Sequence, residues 1–525
     1  MEQGGTLKSE NDKGTIITNH DKDKASSNTV TIDANGKNDK VEVTLKDVNI
    51  DASRGSEAAV SVTGKGDTTI ELDGDNELKS GAGHAGLEHN KTDTSGELTI
   101  QDKDNNGSLE AAGGFKGAGI GSAGSNDAQV KITGGNITAT TSDDWGAGIG
   151  SGSYGTGTVE ITGGEINATG GYLGAGIGGG CNGSGNVTIS GGTITAAGSD
   201  GAAGIGGGYY NGATVTITGD AVIKNASSTK YGAGIGGGNG SDGNVTISGN
   251  AKIENATGGY GAAGIGGGAF SSPDKIGNGN VVIKDNAKID NVQGGAYGAG
   301  IGGGIYGLSN VTIEGNTKVN ATGGAGGAAI GGGAGAENNS DNNGNQITIK
   351  SNENGSPTIN AVGGGTDEGE KIVIGGAGIG AGCESDADAD ITLEGKVTIT
   401  ATAGKDNVAI GANGIEQEFS GLAEGSSITR YDSEGNDITL PTDPVPAVPS
   451  SSGGSSADAS VQESVFPGLV VTDKDGQRIS YTSIRDNNVL SLRVGRFTAS
   501  LRASLATLRQ LRAEGIETIT FQTIL

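Results

Sequence analysis

The sequence predicts an all-β chain, most of it one right-handed parallel β-helix of about twelve coils, with a small α+β module at the C-terminal end. Two observations carry this. The string GAGIGGG, or a close variant, recurs about every 29 residues. Short segments of two-residue apolar alternation precede each copy, while no stretch before residue 500 has a helical apolar period. Right-handedness is the default for parallel crossovers.

One repeat displays the logic. Asn186 to Ser190 reads NVTIS, with Val187 and Ile189 on one face and Thr188 on the other. Gly191 and Gly192 turn the chain, and TITA (Thr193 to Ala196) makes a second short strand. A variable link then leads to a third strand, GAAGIG, ending at Gly206. Three strands per coil, stacked in one direction, form a solenoid. The anchoring residues of the third strand are Ile120, Ile149, Ile177, Ile205, Ile235, Ile265, Ile301, Ile330, Ile379 and Ile410. Val60 and Leu87 extend the series toward the N-terminus.

Five segments follow in order. Residues 1–40, with Ile16, Ile17, Val30 and Ile32, are expected to cap the open end of the ladder. Residues 41–114 form the first coils, and residues 115–440 the GAGIGGG repeats. Residues 441–461, containing PVPAVPSSSGGSS, read as a linker. Residues 462–525 read as the α+β module. It has a hairpin over Arg478–Val494, a helix over Ala499–Ala513 and a strand from Ile516 in which the chain stops, as in a truncated module.

Composition narrows the function. Of 525 residues 106 are Gly, only 7 are Pro, and no glycine recurs strictly at every third position, which excludes collagen. A net charge of −27 argues against nucleic acid, which selects basic surfaces. No apolar run is long enough to span a bilayer. The start, MEQGGTLKSE, holds no hydrophobic segment, so a signal peptide is either absent or removed. Cys181 and Cys383 occupy equivalent places six coils apart, too far to bridge.

Catalytic patterns are weak. GAGIGG matches the G-x-G-x-x-G string, but a strand follows each copy instead of the helix a dinucleotide site needs. No arginine lies between Arg54 and Arg430 to act as a lyase base, and His20, His84 and His89 fall outside the repeats. A non-enzymatic protein is expected. Asp386, Asp388 and Asp390 alternate onto one side of an extended segment, a perch for Ca²⁺ or simply a solvated corner.

The third strand carries the functional expectation. Alternation puts Ala147 and Ile149 inward, leaving Gly146, Gly148 and Gly150 outward as a bare strip. Eleven of the seventeen aromatic residues flank this strand. Phe115, Trp145, Tyr172, Tyr231, Tyr260 and Tyr297 lie four or five residues before an anchor. Tyr154, Tyr210, Phe270 and Tyr306 lie five after, with Tyr209 beside Tyr210. A flat floor between aromatic rows suits a linear glycan. Two other roles compete: the rings plug the core at the corners, or the strip pairs with a second β surface and the chain self-associates as a structural spacer.

Two blocks carry a resemblance. Val41 to Gly114, with VEVTLKDVNIDA, TTIELDGDNELKSG and GELTIQDKDNNGSLEAAGG, resembles the carbohydrate-binding β-helix domain of clostridial surface proteins. The GAGIGGG-x-NVTISGGTITA repeats resemble those of large secreted or wall-associated proteins of gut Firmicutes. LATLRQLRAEGIETITFQT resembles a short module near the ends of such proteins. The resemblance implies an extracellular adhesin or polysaccharide-binding module, recognising acidic or cellulosic polysaccharide or a cell-wall glycan, with Ca²⁺. Self-association is the first alternative and a polysaccharide lyase the second.

Overall fold

The computed structural model describes residues 6–8, 13–141, 145–269, 276–338, 344–366, 374–444, 469–472, 482–486, 489–494, 500–503, 511–512, 516 and 518–523. The chain divides into two units, Met1–Ala447 and Val448–Leu525.

The first unit is a parallel β-solenoid of about fourteen turns. Its first face stacks strands such as Gly157–Ile161, Gly185–Ile189 and Ala213–Ile217. Its second stacks Glu165–Thr169 and Thr193–Gly198, and its third stacks Ile149–Gly150, Ile177–Gly178 and Ile205–Gly206. Register is exact from coil to coil: Val159 pairs with Val187 and then Val215, and Ile161 with Ile189 and then Ile217. Like therefore stacks on like, and inward Val, Ile and Ala fill one continuous core while Thr and Asn face outward.

The expected twelve coils are an undercount, and residues 1–40 are not a separate cap. Thr6–Lys8 pairs with Thr31–Asp33, Lys13–Thr18 with Glu42–Lys46, and Val30–Ala34 with Val60–Gly64, all in parallel. Val30, Ile32 and Ala34 are buried in alternation like every later coil, which is why this segment continues the ladder.

The bare glycine strip also requires correction. Gly146, Gly148 and Gly150 are buried, as are Ala147 and Ile149. In the coils from Ile120 to Ile379 the third strand is only two residues long, and its glycine takes a positive φ, 135° at Gly150, 132° at Gly178 and 139° at Gly206. That conformation is open to glycine alone. It folds the chain back so tightly that the Ala147 amide donates to the Ser151 carbonyl at 3.0 Å, and Ala175 to Gly179 likewise at 3.0 Å. A side chain here would strike the next coil: a methyl on Gly148 would stand 2.7 Å from both the Gly176 carbonyl oxygen and the Thr169 nitrogen. The exposed strip on which self-association was expected does not exist.

The C-terminal end of the ladder is closed by a charge. Arg430 pairs in register with Ala401, so its side chain enters the core position and is fully buried. Its guanidinium donates to both Asp443 oxygens, at 2.7 and 2.9 Å, to Glu416 and to the Gln417 carbonyl at 2.7 Å. Residues 441–444 are thus held on the solenoid and do not begin the expected linker; residues 445–461 lie outside the described residues. A buried charge without partners is costly, which makes this network all-or-none.

In the second unit, Thr482–Asp486 and Val489–Val494 form the expected hairpin, and Thr518–Thr523 pairs in parallel with the latter. The expected helix over Ala499–Ala513 does not begin as one. Ser500–Ala503 is a strand antiparallel to Leu469–Thr472, with Leu501 against the small apolar core. Residues 504–510 lie outside the described residues.

Two substitutions check this packing. Gly148→Ala should destabilise by about 2 kcal/mol through overpacking, read as a drop in the thermal unfolding midpoint. Arg430→Ala should cost about 3–5 kcal/mol by leaving Asp443 buried and unpaired, with hydrogen exchange rising first in the coils next to Ile410.

Candidate functional site

The tight third corner pushes out a loop on each side, and the two loops zip together between coils. The residue four after each anchor donates its amide to the carbonyl four before the anchor of the preceding coil: Ser153 to Lys116, Cys181 to Trp145, Tyr209 to Leu173, Asn239 to Gly201, Ile305 to Gly261 and Cys383 to Gly326, at 2.6 to 3.1 Å. The glycine strands lie beneath this seam. The aromatic residues therefore do not border a floor; they stand on a single ridge above it.

Within the ridge, two positions are left-handed in most coils: four before the anchor and five after. Several coils fill them with glycine, as at Gly240 and Gly335 (φ 63° and 68°). Others fill them with other residues, Lys116, Ser125, Leu173 and Asn182 among them, and five with tyrosine: Tyr154, Tyr210, Tyr231, Tyr297 and Tyr306 have φ of 67°, 61°, 51°, 72° and 63°. Each costs about 1–2 kcal/mol that glycine would not. Strain of this kind collects where a side chain is kept for something other than local stability.

The rings face outward. Phe115, Tyr154, Tyr172, Tyr231, Tyr260 and Tyr306 are 38 to 57% exposed, and Trp145, Tyr209, Tyr210 and Tyr297 are half-buried. Tyr297 packs on a small buried pair, Ala334 and Cys383, while the main core is filled by the Val, Ile and Ala columns. Phe270 lies outside the described residues. The rings touch along the axis: Phe115 and Trp145 at 5.7 Å between centroids, Tyr231 and Tyr260 at 6.2 Å, Tyr260 and Tyr297 at 5.6 Å. The Lys116 ammonium sits 5.1 and 5.2 Å from the Phe115 and Trp145 rings.

Tyr209, one of the eleven flanking aromatics but expected only as the neighbour of Tyr210, completes the row. The coil of Ile205 has Asp200 and Gly201 where its neighbours carry an aromatic. Tyr209 covers that gap: a methyl on Gly201 would meet its ring at 2.6 Å. Its hydroxyl bonds that of Tyr210 at 2.9 Å, and burial, helped by this bond, raises its pKa above the ordinary tyrosine value. The doubled tyrosine after a coil lacking one before its anchor was the legible signal.

The cysteines are inert parts of the seam. Both are free and buried, and burial pushes each thiol up to about 11. His84 is pinned by Glu88 at 2.8 Å, whose other oxygen accepts from Asn90.

Asp386, Asp388 and Asp390 do lie exposed on one side, but Asp388 already accepts the Asn338 and Asn413 amides, each at 3.3 Å. Among the described residues, carboxylates converge elsewhere: Glu71, Asp102 and Asp104 lie within 4.8 Å of one another. The string D-K-D-N-N-G from Asp102 to Gly107 has the spacing of an oxygen-ligand loop and could have pointed there. Asp102 accepts the Asn106 and Gly107 amides, at 3.2 and 2.9 Å, and Lys103 stands 3.5 Å from Glu71 but closer, at 2.6 Å, to Glu42, so the three carboxylates keep a net negative charge.

If the rings are kept for contact and not for folding, Tyr154→Gly should leave the thermal midpoint unchanged or raise stability by about 0.5 kcal/mol, relieved strain outweighing glycine's entropy. A clear fall in midpoint would show that the ring supports the fold.

A family profile described as a beta helix repeat matches residues 130–153, 159–181, 187–209 and 245–269. Each matched segment runs from a first-face strand through its second face to the ridge loop beyond the anchor. No curated protein and no solved structure matches the chain. The stacked coils and these repeats together make the chain a β-helix repeat protein.

Proposed function

We propose that the chain is a non-catalytic, extracellular polysaccharide-binding protein, an adhesin or glycan-holding module that uses the aromatic ridge. One observation carries the reading: five tyrosines are held in a strained left-handed backbone on the outer ridge, and next to Tyr210, Tyr231, Tyr297 and Tyr306 an adjoining coil uses glycine at the same position. Sugars bring C–H faces and hydroxyls, and aromatic residues with an apolar body and polar tip suit both. The ridge is open along its length, which suits a polymer better than a small molecule enclosed in a pocket.

The test is retention on insoluble and soluble polysaccharides, repeated with EDTA, for the wild type and for Tyr231→Ala/Tyr260→Ala/Tyr297→Ala. The triple variant should keep its thermal midpoint and lose at least about tenfold in affinity, equivalent to 1.4 kcal/mol. Retention of no polysaccharide by the wild type, or undiminished retention by the triple variant, overturns the reading. Appearance of unsaturated sugar ends, read by ultraviolet absorbance, would replace it with a lyase.

A further inference from the structure

One of the ridge's ring pairs already carries a cation. The Lys116 ammonium sits 5.1 Å from the centre of the Phe115 ring and 5.2 Å from that of Trp145, two rings of adjacent coils that touch at 5.7 Å. The face of an aromatic ring is the negative end of its quadrupole, so a cation settles there. Lysines elsewhere on the solenoid pair with carboxylates, as Lys103 does with Glu42, Lys131 with Glu160 and Lys230 with Asp200. Among the described residues Lys116 forms no ion pair, and its ammonium rests on the rings instead. Its backbone is left-handed, at φ 68°, in the position that Gly201, Gly261 and Gly326 fill with glycine. The chain thus accepts strain to hold an ammonium on the ridge.

The electrostatics of the molecule favour the same kind of ligand. The chain carries −27, a field that gathers cations and repels polyanions. From five residues before to five after each anchor between Ile120 and Ile301, the charged residues are Lys116, Lys230, Asp144 and Asp200. Lys230 is paired with Asp200 at 2.8 Å, so the ridge has no row of lysines to grip an acidic polymer. It has no row of carboxylates either, and an arriving cation meets ring faces. Tyr172, Tyr231 and Tyr260 are 48, 38 and 42% exposed. An amine bearing carbon substituents suits them better than a metal ion does, since it sheds water more readily and packs its C–H groups on the ring.

We propose that the ridge recognises ammonium groups, and that its target is a polysaccharide carrying amines or alkylated amines. This rests on the reading of the ridge as a glycan site and assigns the charge of that glycan. The ligand's cations sit on the ring faces as Lys116 does on Phe115 and Trp145. Lys116 holds that first pair in the free protein and competes with the ligand for it.

Calorimetric titration of the full chain tests this with two matched pairs: chitosan oligomers against the same oligomers fully N-acetylated, and diethylaminoethyl-dextran against plain dextran. Polygalacturonate completes the set. Trp145, the one tryptophan of the chain, reports by its fluorescence whether binding reaches the ridge. Both amine-bearing ligands should change its emission and bind at least about tenfold tighter than their uncharged counterparts, more weakly as salt rises. Tyr231→Ala/Tyr260→Ala/Tyr297→Ala keeps the net charge and should weaken both at least about tenfold. Lys116→Met should tighten both about twofold or more, whereas Lys131→Met, which removes the same charge away from the ridge, should not. Undiminished binding by the triple variant means attraction by net charge alone and overturns the proposal. So does a Lys116→Met variant that binds no tighter than Lys131→Met, or a preference for the uncharged counterparts or polygalacturonate. If such a preferred ligand is lost in the triple variant, the ridge remains a glycan site and only its preference for ammonium fails. If no polysaccharide in the set binds, both readings fail.

Discussion

The structure depends on how closely its coils can approach at one corner. After every anchoring isoleucine stands a glycine at φ between 132° and 148°, from Gly178 to Gly411, a region closed to other residues. That residue reverses the third strand within a single hydrogen-bonded loop, and the side-chain-free glycines before it let the next coil's carbonyls settle against them. The first and second faces would stack without this, since their Val, Ile and Ala columns resemble any parallel ladder. The third stacks without it only in the first coils, where Val30–Ala34 pairs with Val60–Gly64 as an ordinary extended strand; from Ile120 onward its two-residue strand turns on that glycine.

The tight corner has a consequence at the surface. Because the strand is so short, the loops on either side converge and hydrogen-bond across coils, using left-handed residues at fixed offsets. Most of these coils therefore offer two outward positions with a fixed backbone direction. Glycine there is the conformationally cheap choice, and the coils of Ile235 and Ile330 use it five residues after the anchor. Tyrosine at the same place trades stability for a projecting ring. A repetitive fold becomes a periodic array of side chains simply by which coils make that trade.

Much of the fold was legible because the solenoid writes its geometry directly into period. Val187 and Ile189 alternate with Thr188, and the anchors recur at near-constant spacing, so coil membership could be read residue by residue. The ends were harder. Val30 and Ile32 alternate like later coils but lack the glycine string, so two turns were missed, and Arg430 hides in an inward position that normally takes Ala. Alternation also misled at Gly146 to Gly150, because period-two reasoning assumes an extended strand and positive φ at Gly150 breaks that assumption. The ridge residues were found by their offsets. Their arrangement was not, since the seam between loops is made of backbone bonds that no side chain announces, and Tyr209 crossing over Gly201 depends on it.

The account stands on these rings being surface contacts. Hydroxyl-radical footprinting of the free chain and of the chain saturated with its glycan measures this ring by ring. Tyr231, Tyr260 and Tyr297 should be oxidised readily in the free protein and protected together when the glycan binds, while the glycan leaves Tyr431, far from the ridge, unchanged. Rings inert in the free protein, or protection that spares all three, would contradict it.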